Sequence, residues 1–126
     1  MPILKRCILI VDDEEDLQEI VQSHLEELGY RIIKAGDGME GLEVLRRLNP
    51  KPALVILDIK MPRMTGLELL RVMRSSNDLV NIPVLILSAQ GRSENIFEAE
   101  RLRTEDFLIK PFTRDELLKS VRKALV

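Results

Sequence analysis

The chain has few of the residues that mark several classes of protein. It contains one cysteine, one histidine and no tryptophan among 126 residues. Because the single Cys7 cannot form an internal disulfide, a disulfide-stabilised secreted scaffold is excluded. We expect Cys7 to be buried in the first strand and unreactive, which fits a reducing, cytoplasmic location.

Long apolar runs and a strong charge of one sign are also absent. No apolar stretch approaches the roughly 20 residues that a membrane-spanning helix needs. Residues 1–6 lack the apolar segment and the cleavage site of a signal peptide. The formal net charge is −2, which provides no basic field for nucleic acid or for an anionic membrane. We therefore expect neither a membrane nor a nucleic acid as a direct partner.

Two hydrophobic periods alternate along the chain. Short apolar runs rich in β-branched residues, bounded by Gly, Pro or charged residues, predict buried strands. Between them, apolar residues recur at helical spacing. The predicted strands cover residues 7–11, 31–35, 53–57, 84–87 and 107–109.

Capping and stop signals bound the predicted helices. Gly29 ends the first helix, and Ser93 is the predicted N-cap of the fourth, which runs to about Leu102. Thr113 and Glu116 form a capping box for the fifth. The predicted apolar face of the first helix consists of Leu17, Ile20, Val21, Leu25 and Leu28.

Strands and helices that alternate in this way predict one α/β domain over residues 1–126, with no output domain. The length suits a single domain, and right-handed crossovers place helices on both faces of a parallel sheet. We expect a doubly wound five-stranded parallel sheet of the flavodoxin-like type, for which the strand order 2-1-3-4-5 is known.

Polar residues follow the carboxyl ends of four predicted strands. Asp12 and Asp13 follow the first strand, Asp58 the third, Ser88 the fourth and Lys110 the fifth. In an open parallel sheet these ends meet at one edge. Crowded carboxylates repel one another, and a bound divalent cation would reduce this repulsion. Mg²⁺ fits best because it accepts one or two carboxylates and leaves room for phosphate oxygens. The lysine could pair with such an anion.

Each of these residues also has an ordinary structural explanation. An Asp at a strand end commonly starts a turn, and an Asp-Asp pair often lies at a helix N-terminus, where the helix dipole favours it. A lysine before a helix is usually solvated. Their coincidence at one edge of the sheet favours a functional site.

In order and spacing, these motifs resemble the receiver domains of bacterial two-component response regulators, chemotaxis regulators among them. The resemblance extends over nearly the whole chain. The matching segments are Val11-Asp12-Asp13-Glu14, Leu57-Asp58-Ile59-Lys60-Met61-Pro62 with Gly66, Ser88-Ala89 and Lys110-Pro111-Phe112.

The resemblance implies a metal-assisted phosphoryl site. Asp58 would be the phosphoryl acceptor, and Lys110 would pair with the phosphoryl group. Asp12 and Asp13 would hold Mg²⁺ together with Asp58 and the backbone carbonyl of Lys60, with Asp13 as the more direct ligand.

The resemblance also implies a switch. Ser88 would bond a phosphoryl oxygen, and Phe107 would rotate into the space that the hydroxyl leaves. The Lys110–Pro111 peptide bond is expected to be cis by the same analogy.

The implied function is that of a signalling receiver and not of a turnover enzyme. A sensor histidine kinase or a histidine phosphotransfer protein would supply the phosphoryl group from phosphohistidine. Phosphorylation would then switch a surface that binds a downstream protein or output domain, or that forms a dimer. Self-phosphorylation and autodephosphorylation would be the only reactions of the chain.

The chain departs from the family pattern in several places. Phe107 replaces the common tyrosine, Ser88 replaces the commoner threonine, and Lys60 and Gln90 flank the site where relatives tune the phosphoryl lifetime. Residues 102–105 replace a small Gly-Ala turn, and because positive φ is unfavourable for a residue other than glycine, the local backbone is expected to differ there.

Other functions remain as alternatives. A degenerate receiver would act as an interaction module without phosphorylation. A phosphatase of the haloacid-dehalogenase type would need a second Asp where Lys60 stands, and a flavin carrier would need a phosphate loop where Asp12 and Asp13 stand. His24, the only histidine, is interpreted as a partly buried bystander and not as a phosphotransfer residue.

Overall fold

The computed structural model describes residues 6–61, 63–89 and 94–125, with only the backbone for residues 94–97. The predicted N-cap Ser93 and the flanking Gln90 therefore lie outside the described part. The strands are β1 (Cys7–Val11), β2 (Arg31–Ala35), β3 (Leu54–Asp58), β4 (Val84–Ser88) and β5 (Asp106–Ile109). The helices are α1 (Glu15–Glu26), α2 (Gly38–Arg47), α3 (Gly66–Ser75), α4 (Glu94–Arg101) and α5 (Arg114–Leu125).

The five strands form one parallel sheet in the order β2-β1-β3-β4-β5, which confirms the predicted fold. Asp58 pairs with Leu87, and Ser88 pairs with Ile109. The register therefore brings the last residues of β3, β4 and β5 to the same edge. All residues of β3 and β4 are buried, as expected for central strands covered on both faces.

Two apolar clusters fill the two sides of the sheet. One lies beneath α2, α3 and α4, and the other beneath α1 and α5. None of the described helices is long and apolar enough to cross a lipid bilayer.

The predicted apolar face of α1 is partly wrong. Val21 and Leu25 are fully buried, but Ile20 is 51% exposed and Leu28 is 39% exposed. The buried line of the helix runs through Gln18, Val21 and Leu25, at a spacing of three and four residues. Ile20 lies about 130° around the helix from the centre of this line, and Leu28 lies beyond the helix end.

Cys7 is half-buried and not buried as predicted, because it is the first residue of β1 and lies at the rim of the sheet. Burial raises the pKa of its thiol, and Arg31 opposes this effect. A raised thiol pKa agrees with the expected low reactivity.

The capping box predicted from Thr113 and Glu116 is present at the start of α5. The backbone N–H of Glu116 donates to the Thr113 hydroxyl at 3.1 Å, and that of Thr113 donates to the Glu116 carboxylate at 3.0 Å. Asp37 is the N-cap of α2, because its carboxylate accepts the Glu40 backbone N–H at 2.9 Å.

The turn after α4 places a residue other than glycine at positive φ. Arg103 has a φ of 60°. The carbonyls of Leu102 and Arg103 accept hydrogen bonds from the Arg74 guanidinium of α3, at 2.7 and 3.1 Å. Arg74 also donates to the carbonyls of Val80 and Ile82, at 3.1 and 3.0 Å. One half-buried side chain thus joins three segments of the chain.

Candidate functional site

The carboxyl ends of β1, β3, β4 and β5 deliver polar side chains to one edge of the sheet. Asp12 follows β1, Asp58 ends β3, Ser88 ends β4, and Lys110 follows β5. The backbone N–H of Asp12 continues the ladder to β2, where it donates to the Ala35 carbonyl at 3.1 Å. The site therefore follows directly from the strand order and register.

Three carboxylates crowd together at this edge. One oxygen each from Asp12, Asp13 and Asp58 lies within 4.8 Å of the other two. Asp12 is fully buried and Asp58 is 6% exposed, whereas Asp13 is exposed. Burial, and then the charge of Asp12, raises the pKa of Asp58 to about 6. Burial also raises the pKa of Asp12.

Lys110 is the cation of the cluster. Its Nζ lies 2.9 Å from Asp12 Oδ2, 3.1 Å from Glu14 Oε1 and 3.5 Å from Asp58 Oδ2. Burial acts to lower the pKa of Lys110, but the hydrogen bond to Asp12 and the carboxylate charges outweigh it, so this pKa is raised. Lys110 is therefore a fixed positive charge beside Asp58.

Two residues that support this arrangement were missed at the level of sequence. Gln18 is buried, and its Nε2 donates to the carbonyls of Asp12 and Ala35 at 2.6 and 2.9 Å. It ties the loop after β1 to the end of β2. Glu14 was noted only as part of a motif, yet its carboxylate pairs with Lys110. The one signal for Gln18 in the sequence is its spacing: it lies three residues before Val21 and seven before Leu25, which places it on the same face of α1.

The loop after β3 holds Asp58 from the other side. The backbone N–H of Lys60 donates to Asp58 Oδ1 at 3.3 Å, and that of Gly66 donates to the Ile59 carbonyl at 2.9 Å. A Cβ atom at position 66 would lie 1.9 Å from the Asp58 carbonyl oxygen. Only glycine permits so close an approach of the two backbones.

The remaining predicted residues lie beside this cluster or close behind it. Ser88 is 8% exposed, and its carbonyl accepts the Lys110 backbone N–H at 2.7 Å. Phe107 is half-buried in β5 and packs against the core cluster beneath α2, α3 and α4. The Lys110–Pro111 bond is cis, as expected. His24 is half-buried in the last turn of α1, about two and a half helical turns from the start of that helix.

The donor set fits a hard divalent cation. Carboxylate oxygens are the preferred ligands of Mg²⁺, and a cation would relieve the repulsion that burial imposes on Asp12 and Asp58. The exposed Asp13 leaves one side of the cluster open to solvent. The residues present can therefore hold a metal ion and still admit an anionic ligand.

The fold and the carboxylate-and-lysine edge together define a flavodoxin-like α/β domain of the receiver type. The model of the response regulator receiver domain family matches residues 8–122. The chain belongs to this family.

Individual relatives support the same assignment. The chain is 36% identical over 118 residues to the response regulator MprA of Mycobacterium sp. (strain KMS), covering 94% of this chain and 50% of that protein. It is 34% identical over 125 residues to the probable transcriptional regulator ycf27 of Cyanophora paradoxa, covering 99% of this chain and 50% of that protein. The chain thus spans about half the length of these relatives.

Solved structures agree with the fold. Chemotaxis protein CheY4 of Vibrio cholerae superimposes with a TM-score of 0.88 at 29% sequence identity, covering 97% of this chain and 100% of that one. The signal receiver domain of a signal transduction histidine kinase from Syntrophus aciditrophicus superimposes with a TM-score of 0.85 at 31% identity, covering 95% and 89% of the two chains.

Proposed function

We propose that this receiver domain is a phosphorylation-dependent switch in which Asp58 accepts a phosphoryl group from a phosphohistidine donor. One observation carries the proposal. The Asp58 carboxylate lies in a cluster with two other carboxylates, and the Lys110 ammonium is 3.5 Å from its Oδ2. This arrangement combines a nucleophile with positive charge for the incoming phosphoryl oxygens.

In this proposal Asp12, Asp13, Asp58 and the Lys60 backbone carbonyl hold Mg²⁺. When bound, the metal neutralises charge on the phosphoryl oxygens and lowers the repulsion between them and the carboxylates. A carboxyl group with a pKa of about 6 is mostly ionised at pH 7, so Asp58 is available as a nucleophile.

The transfer itself is an in-line exchange at phosphorus. An oxygen of Asp58 forms the new O–P bond, the P–N bond to the donor imidazole breaks, and the imidazole nitrogen keeps the electron pair and takes a proton from solvent. Lys110 stays protonated and pairs with the phosphoryl group. Water later cleaves the acyl phosphate and restores the carboxylate.

The proposed switch uses the two strands that end beside Asp58. The phosphoryl group draws the Ser88 hydroxyl toward it, and Phe107 turns into the space behind. Phe107 pairs with Ile86 across β4 and β5, two residues before Ser88 along β4, which supports a short path between the two side chains. Because Phe107 has no hydroxyl, the turned ring depends on packing alone.

A small-molecule phosphodonor tests the proposal. With Mg²⁺ present, we expect wild-type protein to gain the mass of one phosphoryl group, and hydroxylamine treatment to remove it. Asp58→Asn should gain none, because an amide is a poor nucleophile, and chelation of Mg²⁺ should prevent labelling of the wild type. Asp115→Asn, which removes an exposed carboxylate on α5, is the matched control and should be labelled normally.

Two results would contradict the proposal. A label on the Asn variant would identify another acceptor. Wild-type protein that stays unlabelled with Mg²⁺ present would favour the alternative, an interaction module that works without phosphorylation.

The proposed partners follow from the family. A histidine kinase or a phosphotransfer protein supplies the phosphoryl group, and a downstream protein, an output domain or a second copy of the chain senses it. Relatives named as transcriptional regulators are about twice as long as this chain. In our proposal this domain controls such an output and does not itself contact nucleic acid, in keeping with its net charge of −2.

A further inference from the structure

An exposed ion pair joins the two loops beside the acidic cluster. Arg63, in the loop between β3 and α3, donates through Nε to Asp37 Oδ2 at 2.8 Å and through Nη2 to Asp37 Oδ1 at 3.1 Å. Asp37 lies in the loop between β2 and α2, 26 residues earlier in the chain. The contact is bidentate, which fixes orientation as well as distance.

The backbone at Arg63 is held in an unusual conformation. Its φ is 66°, a region that residues other than glycine seldom occupy. Such a conformation persists where the surroundings fix it. The paired carboxylate is itself fixed, because Asp37 also accepts the Glu40 backbone N–H as the N-cap of α2.

A backbone contact repeats the connection between the two loops. The N–H of Gly38 donates to the Met64 carbonyl at 3.1 Å, and a Cβ atom at position 38 would lie 2.4 Å from that oxygen. The loop after β3 is thus pressed against the loop after β2. Lys60, whose N–H donates to Asp58, lies in the same loop three residues before Arg63.

We propose that the Arg63–Asp37 ion pair is a latch that holds the loop after β3 in the conformation that the metal site requires. Arg63 and Asp37 are then positioning residues for the Lys60 carbonyl and the Asp58 carboxylate, and neither touches the metal. This inference rests on the proposed function, because it assigns the latch to the Mg²⁺ site at Asp58.

Arg63→Gly separates this role from a purely structural one. Glycine adopts a φ of 66° without strain but cannot form the ion pair. We expect the thermal midpoint to stay the same or rise, while Mg²⁺ affinity, measured by calorimetry with the metal alone, falls roughly 3- to 10-fold. This loss is smaller than the 10- to 100-fold typical when a direct partner of a metal ligand is removed. Without metal, the Lys60 amide should exchange hydrogen faster.

Two conservative variants should lower the Mg²⁺ affinity by a smaller amount. Asp37→Asn keeps the α2 cap, since Asn is an equally good N-cap, but loses the charge. Arg63→Lys keeps the charge but cannot form two parallel bonds. Both should bind Mg²⁺ with an affinity between those of wild type and Arg63→Gly. Arg114→Ala is the matched control, because it removes another exposed ion pair, to Glu27 at 3.0 Å, and should leave Mg²⁺ affinity unchanged.

The outcomes separate the latch from the proposed function. Wild-type Mg²⁺ binding combined with unchanged affinity in Arg63→Gly overturns the latch alone, even if the Lys60 amide exchanges faster. An equal loss of affinity in Arg114→Ala also overturns it. A wild-type chain that binds no Mg²⁺ overturns the metal site of the proposed function, and the latch with it.

Discussion

Replacing Asp58 with asparagine is expected to raise the free energy of unfolding by about 3 kcal/mol at pH 7 in metal-free buffer. Burial and the charge of Asp12 raise the pKa of Asp58 from 3.8 to about 6, so the ionised carboxylate destabilises the fold at neutral pH. Asparagine has nearly the same shape, carries no charge and can still accept the Lys60 N–H. Chemical unfolding at fixed pH measures the difference.

The pH dependence identifies the cause. Between pH 3.8 and about 6 the folded chain holds a proton on Asp58 that the unfolded chain has released. The stability that this proton contributes is fully present below pH 3.8 and is lost as the pH rises through about 6. The advantage of Asp58→Asn should therefore be full at pH 7 and vanish near pH 4.

Asp13→Asn is the control for this measurement. It makes the same chemical change in the same cluster, but at an exposed position, so the free energy of unfolding should change by less than about 0.5 kcal/mol. A pH-independent gain for Asp58→Asn, or a loss of stability at pH 7, would refute the explanation. Added Mg²⁺ should stabilise wild type more than Asp58→Asn, because the metal requires the ionised carboxylate.

Arg74→Met is expected to lower the free energy of unfolding by about 3 kcal/mol. The guanidinium donates to four backbone carbonyls, those of Val80, Ile82, Leu102 and Arg103. Charged donors contribute about 1.5–3 kcal/mol per hydrogen bond, and several of these bonds would be lost together, with partial replacement by water. Denaturant unfolding measures the loss, and methionine keeps most of the apolar stem.

Arg71→Met provides the comparison within the same helix. Arg71 pairs with Glu98 of α4, but both side chains are largely exposed, at 49% and 39%. An exposed ion pair contributes only about 0–1 kcal/mol. Equal destabilisation by the two substitutions would show that Arg74 is no more than another surface arginine.

The turn after α4, which Arg74 supports, shows how much of the structure could be predicted from the local sequence. The sequence, which has no glycine at residues 102–105, indicated a departure from the family's turn there, yet Arg103 still takes a positive φ of 60°. It gave no sign of which side chain holds the turn. Arg74 precedes the turn by 28 residues and reaches its carbonyls only because α3 packs beside α4.

The predicted apolar face of α1 shows a different limit of prediction from the sequence. Helical spacing correctly placed Val21 and Leu25 inside, but it also placed Ile20 there, and Ile20 is half exposed. A hydrophobic pattern gives the period of a helix but not the width of the face that its neighbours cover. The same limit applies to Gln18. Its side chain is buried because two backbone carbonyls accept hydrogen bonds from its amide nitrogen, and a hydrophobic pattern does not show this.

The sequence by itself determined the order and type of the elements, the parallel sheet and the strand ends at which Asp12, Asp58, Ser88 and Lys110 lie. These features depend on periodicity and on turn residues, which are local properties of the chain. Only the tertiary structure decided the raised pKa of Asp58, the pairing of Lys110 with Glu14, the Arg63–Asp37 ion pair and the contacts of Arg74. Each of these depends on which distant segments meet and how much water they exclude, and no local pattern encodes that.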